Sequence, residues 1–355
     1  MLAGLIETII FDWGNTLMQV NPANPGKMKD WDEVAAIDGA KSLLAHISQR
    51  FNVVLATNAR DSTIEDVEEA LVRVSLDKYI NRIFLSSSMH TEKSNPDFYR
   101  RICAALDLPA NRCLMVGDDY QNDILPANLA GLFTVWLNPK HSLATAQLPL
   151  HDLEISGLRE LEDSLSENLL PSYQQCLFWY LQHGATNTLW AHVNVVASAS
   201  YQVSSWFAQQ GISISPLVAH RGGLLHDLAK LREVPGENHA VSAARLLNQY
   251  GQPVLAQIAL RHLIGKIGDS SERPLTWEEK IVNYCDKLTE GSQLVSLDQR
   301  LEALQTRYPE FAGKIRQNIP LVKALENEIT RVLGLSSTDF LTKLRTALYH
   351  IVQTN

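Results

Sequence analysis

Up to about residue 165, short apolar runs alternate with stretches of helical spacing: Glu7–Phe11, Val53–Ala56, Ile83–Leu85, Leu114–Val116 and Phe133–Leu137. That alternation predicts parallel strands joined by crossover helices, a doubly wound α/β domain. Pro139–Pro149 reads as a loop, and Leu153–Leu165 as a last edge strand followed by a helix. Past Pro171 the strand signal stops. From Tyr173 onward apolar residues recur at spacings of three and four, with loops near Gly211, Pro235, Gly251 and Gly265, so this part is predicted to be all helix. Two domains are expected, 1–168 and 172–355, with the boundary between residues 165 and 172.

Composition changes this picture little. Apolar residues make up 45% and charged residues 20% of 355, an ordinary balance for a chain that buries two cores. The net charge of -8 argues against a nucleic-acid backbone as partner. A small anionic substrate would need bound cations to offset that charge. Cys103, Cys113, Cys176 and Cys285 are scattered without a close pair, which suits reduced thiols in the cytoplasm. Met1–Ile10 lacks a basic leader and a cleavage pattern and is read as a first strand. No run approaches the roughly 20 apolar residues of a membrane span.

Three polar residues follow the apolar runs directly: Asp12 after Ile9-Ile10-Phe11, Thr57 after Val53-Val54-Leu55-Ala56, and Asp118 after Leu114-Met115-Val116-Gly117. A parallel sheet would bring all three out at its carboxyl edge, where open α/β folds hold ligands. Lys93, just before the helical stretch Asp97–Leu106, is placed to bring a cation there. A carboxylate nucleophile, a hydroxyl, a lysine and a metal-binding acid together suit phosphoryl transfer. The segments Phe11-Asp12-Trp-Gly-Asn-Thr-Leu17, Ala56-Thr57-Asn58, Lys93-Ser-Asn-Pro96 and Gly117-Asp118-Asp-Tyr-Gln-Asn-Asp123 resemble the four ordered motifs of the haloacid dehalogenase superfamily. The resemblance implies Asp12 as nucleophile, Thr57 and Lys93 as phosphate holders, and Mg²⁺ on Asp12, Asp118 and the Gly14 carbonyl. Asp123 would orient Lys93 or the waters of the metal. Phosphatases of that superfamily carry a second aspartate, the general acid, where this chain has Gly14. About 44 residues between Asp12 and Thr57, and about 35 between Thr57 and Lys93, leave no room for a cap domain, so a capless, open site is expected.

Six of the eleven histidines fall between His183 and His262. Helical spacing puts His192 on a face with Val196, Ala199 and Val203, His239 with Ala243 and Leu246, and His262 with Leu255, Ile258 and Ala259, all predicted to point inward. His226-Asp227 sits in an apolar stretch, and Asp286 shares the stripe of Ile281, Val282 and Cys285. Unpaired buried carboxylates cost several kcal/mol, and a shared metal would satisfy the whole set. Imidazole and carboxylate without thiolate suit Mn, Fe, Zn, Co or Ni. The order His192, His226-Asp227-Leu-Ala-Lys230, Asp286 resembles the HD superfamily of metal-dependent phosphohydrolases, over a core of about 187–300. The resemblance implies one metal on His192, His226, Asp227 and Asp286, and a second that adds His239 and His262 and is bridged by Asp227. Lys230 would contact a phosphate. His183 and His220 match no ligand position and are read as solvated or capping residues.

The expectation is an enzyme that hydrolyses a small phosphorylated substrate, a nucleotide, at the helical site, with a weaker phosphatase in the α/β half. The alternative is a degenerate α/β half that senses a ligand and regulates the helical enzyme. Oligomeric state and a role for the segment after Leu301 stay open.

Overall fold

A computed structural model describes residues 4–59, 61–166, 169–232 and 237–352; Asn168, where the first domain was expected to close, and the loop at Pro235 lie outside them. Two compact units emerge, Met1–Ser142 with Leu150–Leu169, and Leu143–Pro149 with Leu170–Asn355.

The first unit is built on β1 (Thr8–Asp12), β2 (Asn52–Thr57), β3 (Arg82–Leu85), β4 (Cys113–Gly117), β5 (Phe133–Leu137) and β6 (Leu153–Ile155). They form one parallel sheet in the order β3–β2–β1–β4–β5–β6. Alternate residues feed two apolar layers. Ile9, Phe11, Val53, Leu55, Leu114 and Val116 enter one, while Ile10, Val54, Ala56 and Met115 enter the other. Burial on both faces explains why each strand reads as a continuous apolar run. Order reversal at β1/β4 makes a crevice at the carboxyl edge, and the register sets Asp12 beside Ala56, one residue before Thr57. The helix Pro96–Leu106 starts where the Asn95 side chain accepts from the Asp97 N–H at 3.0 Å and Pro96 occupies the first turn. That start fixes Lys93 just upstream.

The second unit is mostly helical, with helices Tyr173–Gln182, Asn187–Gln209, Pro216–Leu225, His239–Gln249, Pro253–Arg261, Trp277–Lys287, Leu297–Arg307, Ala312–Val332 and Ser337–Val352. Ser172, Thr186, Ser215, Asn238, Thr276 and Ser296 cap six of their N-termini through side-chain oxygens. Two findings depart from the sequence reading. A small antiparallel hairpin pairs Thr289–Glu290 with Gln293–Leu294 in the half expected to be all helix, and its turn uses the positive φ of Gly291, 56°. Residues 143–149, expected as a plain loop of the first half, belong to the helical unit. There Arg221 donates to the Pro149 carbonyl at 2.8 Å and the Ala144 N–H donates to the Tyr201 hydroxyl at 3.2 Å. Among the described residues no helix is long and apolar enough to cross a membrane. All four cysteines are free and buried, and the fold brings Cys103 and Cys113 within hydrogen-bonding reach of each other.

Candidate functional sites

At the carboxyl edge of the sheet, Asp12, Gly14, Thr57, Lys93 and Asp118 line one cavity of about 490 Å³. Lys93, 2% exposed, reaches Asp12 Oδ1 at 2.5 Å and also pairs with Asp123, which is fully buried. Burial pushes the Lys93 ammonium towards neutrality, but the two carboxylates outweigh it and raise its pKa, keeping it charged. Burial first, and the charge of Asp12 second, push Asp118 up to about 6. Asp12, Asp118 and Asp123 bring carboxylate oxygens within 4.8 Å of one another, a repulsive arrangement that a cation would relieve. The loop carrying Asp118 is held from behind, where Trp136 Nε1 donates to the Asp118 carbonyl at 3.0 Å.

The cavity is less open than the short spacings suggested. The segment after Asp12 folds back through bridges Gly14–Met18 and Met18–Ala36, and its Trp13, Val20, Met28 and Trp31 form a wall. Arg73 pins that wall by donating to the carbonyls of Lys29, Trp31 and Asp32 at 2.9, 2.5 and 2.9 Å, while Lys27 and Lys29 pair with Asp66 at 2.5 and 2.7 Å. The wall is a loop of the same unit.

In the helical unit all six expected ligands meet. Helices Asn187–Gln209 and Pro216–Leu225 pack so closely that a Cβ at Gly223 would stand 2.8 Å from the Ala197 Cα, which brings the His192 and His226 rings to 5.7 Å between centroids. His226 and His262 lie at helix C-caps instead of inside helices. Each pairs its Nδ1 with the carbonyl three residues back, His226 with Gly223 at 2.7 Å and His262 with Ala259 at 2.6 Å. Each thereby satisfies a carbonyl that its helix end leaves open. His192 Nδ1 pairs with the Gly291 carbonyl of the hairpin at 3.0 Å. A carbonyl only accepts, so all three rings carry a proton on Nδ1 and turn Nε2 to the site.

Those Nε2 atoms converge on two carboxylates. His192 and His226 stand 3.3 and 3.7 Å from Asp286 Oδ1, His226 is 3.6 Å from Asp227 Oδ2, and His239 and His262 are 3.2 and 3.5 Å from Asp227 Oδ1. His226 Nε2 is buried without a hydrogen-bond partner. Burial pushes His226 down to about 3, so it stays neutral, and lowers His262 as well. Burial pushes Asp227 and Asp286 up, yet the neighbouring histidines and lysines outweigh it and hold both well below the usual carboxylate range. Ligand atoms about 2.1 Å from one ion at right or tetrahedral angles are about 3.0–3.4 Å apart, close to the spacings seen. Imidazoles anchored through Nδ1, ionised carboxylates and an orphaned Nε2 therefore fit one or two divalent ions, held as His192, His226, Asp286 and as His226, Asp227, His262.

Residues 23–131 match the haloacid dehalogenase-like hydrolase family, and residues 196–291 match the HD domain family. The chain joins a haloacid dehalogenase-like hydrolase domain to an HD domain. Asp12 precedes the first match and is placed by the sheet. The hydrolase domain is similar to pyrimidine 5′-nucleotidase PynA of Streptococcus pneumoniae, 30% identical over 138 residues, which cover 38% of this chain and 56% of that protein. N-acylneuraminate-9-phosphatase of Mus musculus is 26% identical over 158 residues, covering 44% of this chain and 57% of the phosphatase. The chain thus spans little more than half the length of these relatives. Among solved structures, an uncharacterized protein from Listeria monocytogenes serotype 4b is 25% identical and aligns with 45% of this chain and 97% of its own, at a TM-score of 0.42.

Two sequence readings change, those of His239 and His220, while His183 keeps the capping place read for it. His239 opens its helix at the N-terminus and is 23% exposed, although it was expected on a buried face. His220 is 1% exposed against Arg221 and lies inside its helix, where a solvated or capping residue was expected; its Nδ1 lies 2.8 Å from the guanidinium. His183 caps its helix and meets the Tyr250 hydroxyl at 2.9 Å. The sequence reading missed the groups that hold the HD site from behind. Asn283 donates to the Arg261 and His262 carbonyls at 2.9 and 3.0 Å, and Lys287 donates to the His262 carbonyl and, at 2.8 Å, to Asp286. Their signal was a polar i, i+4 pair, Asn283 and Lys287, among the apolar residues Ile281, Val282 and Cys285 beside Asp286.

Proposed function

We propose that the chain is a cytoplasmic phosphohydrolase whose HD domain cleaves a phosphoester or phosphoanhydride of a nucleotide, with a second, Mg²⁺-dependent phosphatase site in the hydrolase domain. The observation that carries the HD assignment is His226 Nε2, a buried lone pair with no partner, aimed between two ionised carboxylates. His192, His226, Asp227 and Asp286 hold the first divalent ion, of the Mn, Fe, Zn, Co or Ni type, and His239 and His262 extend the set to a second. A divalent ion there lowers the pKa of a water towards neutrality and offsets phosphoryl charge. The protein's own part is to fix the ring tautomers through the Gly223, Gly291 and Ala259 carbonyls. Lys230, 3.1 Å from Asp227, is placed to meet a phosphate oxygen.

In the hydrolase domain the Lys93 ammonium occupies Asp12 Oδ1, so the other carboxylate oxygen attacks phosphorus. The bond to the leaving oxygen breaks as the aspartyl–phosphorus bond forms, and water then releases phosphate. Gly14 supplies no proton to the leaving oxygen, so this site suits leaving groups that depart as stable anions. The name of the pneumococcal relative supports a nucleotide substrate here. Metal analysis tests the HD assignment: protein purified without chelator should carry one to two transition-metal ions per chain, and His226→Ala or Asp227→Ala should remove most of them. Unchanged stoichiometry in both variants would sink it.

A further inference from the structure

Beyond the HD family match, the helix Leu297–Arg307 sends a guanidinium back to the same site. Arg300 is 7% exposed, its NH1 pairs with Glu290 of the hairpin, and its NH2 stands 3.6 Å from Asp286 Oδ1, the oxygen that faces His192 and His226. Two features are unspent. Arg300 Nε is buried with no partner, an arrangement that costs free energy unless something else uses the group. Glu290 is already paired by Arg307, so this one carboxylate carries two guanidiniums. Around the cluster Lys230, Lys287, Arg300 and Arg307 face Asp227, Asp286 and Glu290, four cations against three carboxylates, in a chain of net charge -8. One divalent ion raises the local excess to about three positive charges and a second to about five, whereas a phosphate monoester brings only about two negative ones. A diphosphate brings more of the opposing charge in either case.

We propose that Arg300 binds a second phosphate of the substrate at the HD site, which makes a phosphoanhydride, not a monoester, the substrate class. The proposal rests on the HD-site reading above. Lys287 is engaged by Asp286 Oδ2 and the His262 carbonyl, which leaves Lys230 at Asp227 and Arg300 at Asp286 Oδ1 as the cations that adjacent phosphoryl groups would each meet. Guanidinium presents a planar fork suited to phosphate, which Lys230 lacks.

The test is calorimetric titration of the full, metal-loaded chain with methylenebisphosphonate, a diphosphate that is not hydrolysed, and with methylphosphonate. Wild type should bind the bisphosphonate at least about tenfold more tightly. Arg300→Gln should lose about that factor, leaving methylphosphonate affinity and metal content unchanged. Should the glutamine variant not fold, Arg300→Lys keeps the charge and loses the fork, and it should weaken the bisphosphonate at least about threefold. If Arg300 merely ties the hairpin to its helix, the variants would weaken both ligands equally or shed metal, and that result overturns the proposal. A metal-loaded wild type without preference also overturns it while sparing the HD-site reading. A wild type that carries no metal overturns the reading itself.

Discussion

Asp118 should make the metal-free hydrolase domain less stable than it would be with a neutral side chain, and Asp118→Asn measures by how much. Burial and the Asp12 charge move the Asp118 carboxyl from 3.8 to about 6. The folded form therefore holds its proton about a hundredfold more tightly than the unfolded chain, worth about 3 kcal/mol at about 1.36 kcal/mol per factor of ten. Below pH 4 both forms are protonated and the penalty vanishes; it grows between pH 4 and 6 and is complete above pH 6. Removing the charge should thus raise the melting temperature of this domain by roughly 6–12 °C near pH 7.5. Water reaching the carboxyl pulls the value towards the lower end.

The assay is scanning calorimetry in EDTA, following the transition of the α/β unit at pH 7.5 and pH 4.5. The asparagine variant should gain at the higher pH and lose that gain at the lower. Millimolar Mg²⁺ should reverse the order, because the cation stabilises wild type by relieving the repulsion among Asp12, Asp118 and Asp123 and finds a weaker site in the variant. A variant that melts at or below wild type at pH 7.5 in EDTA would show that Asp118 carries no such burden, and the case for a preformed cation site at this edge would fall with it.

Three further outcomes follow from the same geometry. His239→Ala should remove about one ion in two and leave the site of His192, His226 and Asp286 loaded, since His239 meets Asp227 and His262; elemental analysis reads this directly. Asp12→Asn and Asp227→Asn should each delete a different part of the phosphate-release profile, with Mg²⁺ supporting the activity that Asp227→Asn retains; identical profiles would leave one site without chemistry. Gly14→Asp should speed alkyl phosphate turnover by up to about 10²-fold in an Asp227→Asn background while changing aryl phosphates little. A Cβ at Gly14 would meet Val20 Cγ2 at 2.9 Å, so Val20→Ala belongs in the same protein.

The two sites were legible to different depths, and the reason is how each backbone delivers its side chains. In a parallel sheet, a strand buried on both faces reads as an apolar run, and the first polar residue after it marks the carboxyl edge, so Asp12, Thr57 and Asp118 could be assigned to one edge without the strand order. What that logic could not see was the wall. Trp13, Met28 and Trp31 reach the cavity through a loop pinned by Arg73, some forty residues away in sequence, and no local periodicity encodes such a pin.

The HD site was legible as a set of residues but not as a geometry. Reading His262 on a helical stripe and His226 in an apolar stretch put both in the core for an incomplete reason, since both end their helices and cap them with Nδ1. A period of 3.6 residues cannot distinguish a histidine inside a helix from one that terminates it, although the chemistry depends on the difference: at His226 and His262 it is the capping position that commits Nδ1 to a carbonyl of the same helix. The hairpin escaped notice because strands of two residues carry no alternation, yet its Gly291 carbonyl orients His192 and its Glu290 holds Arg300. Sequence patterns therefore marked the candidate ligands, while the carbonyls that set their tautomers came from helix ends and a turn. Substitutions at such positions should alter metal affinity without touching a ligand, and that is where conventional motif reading of this chain would look last.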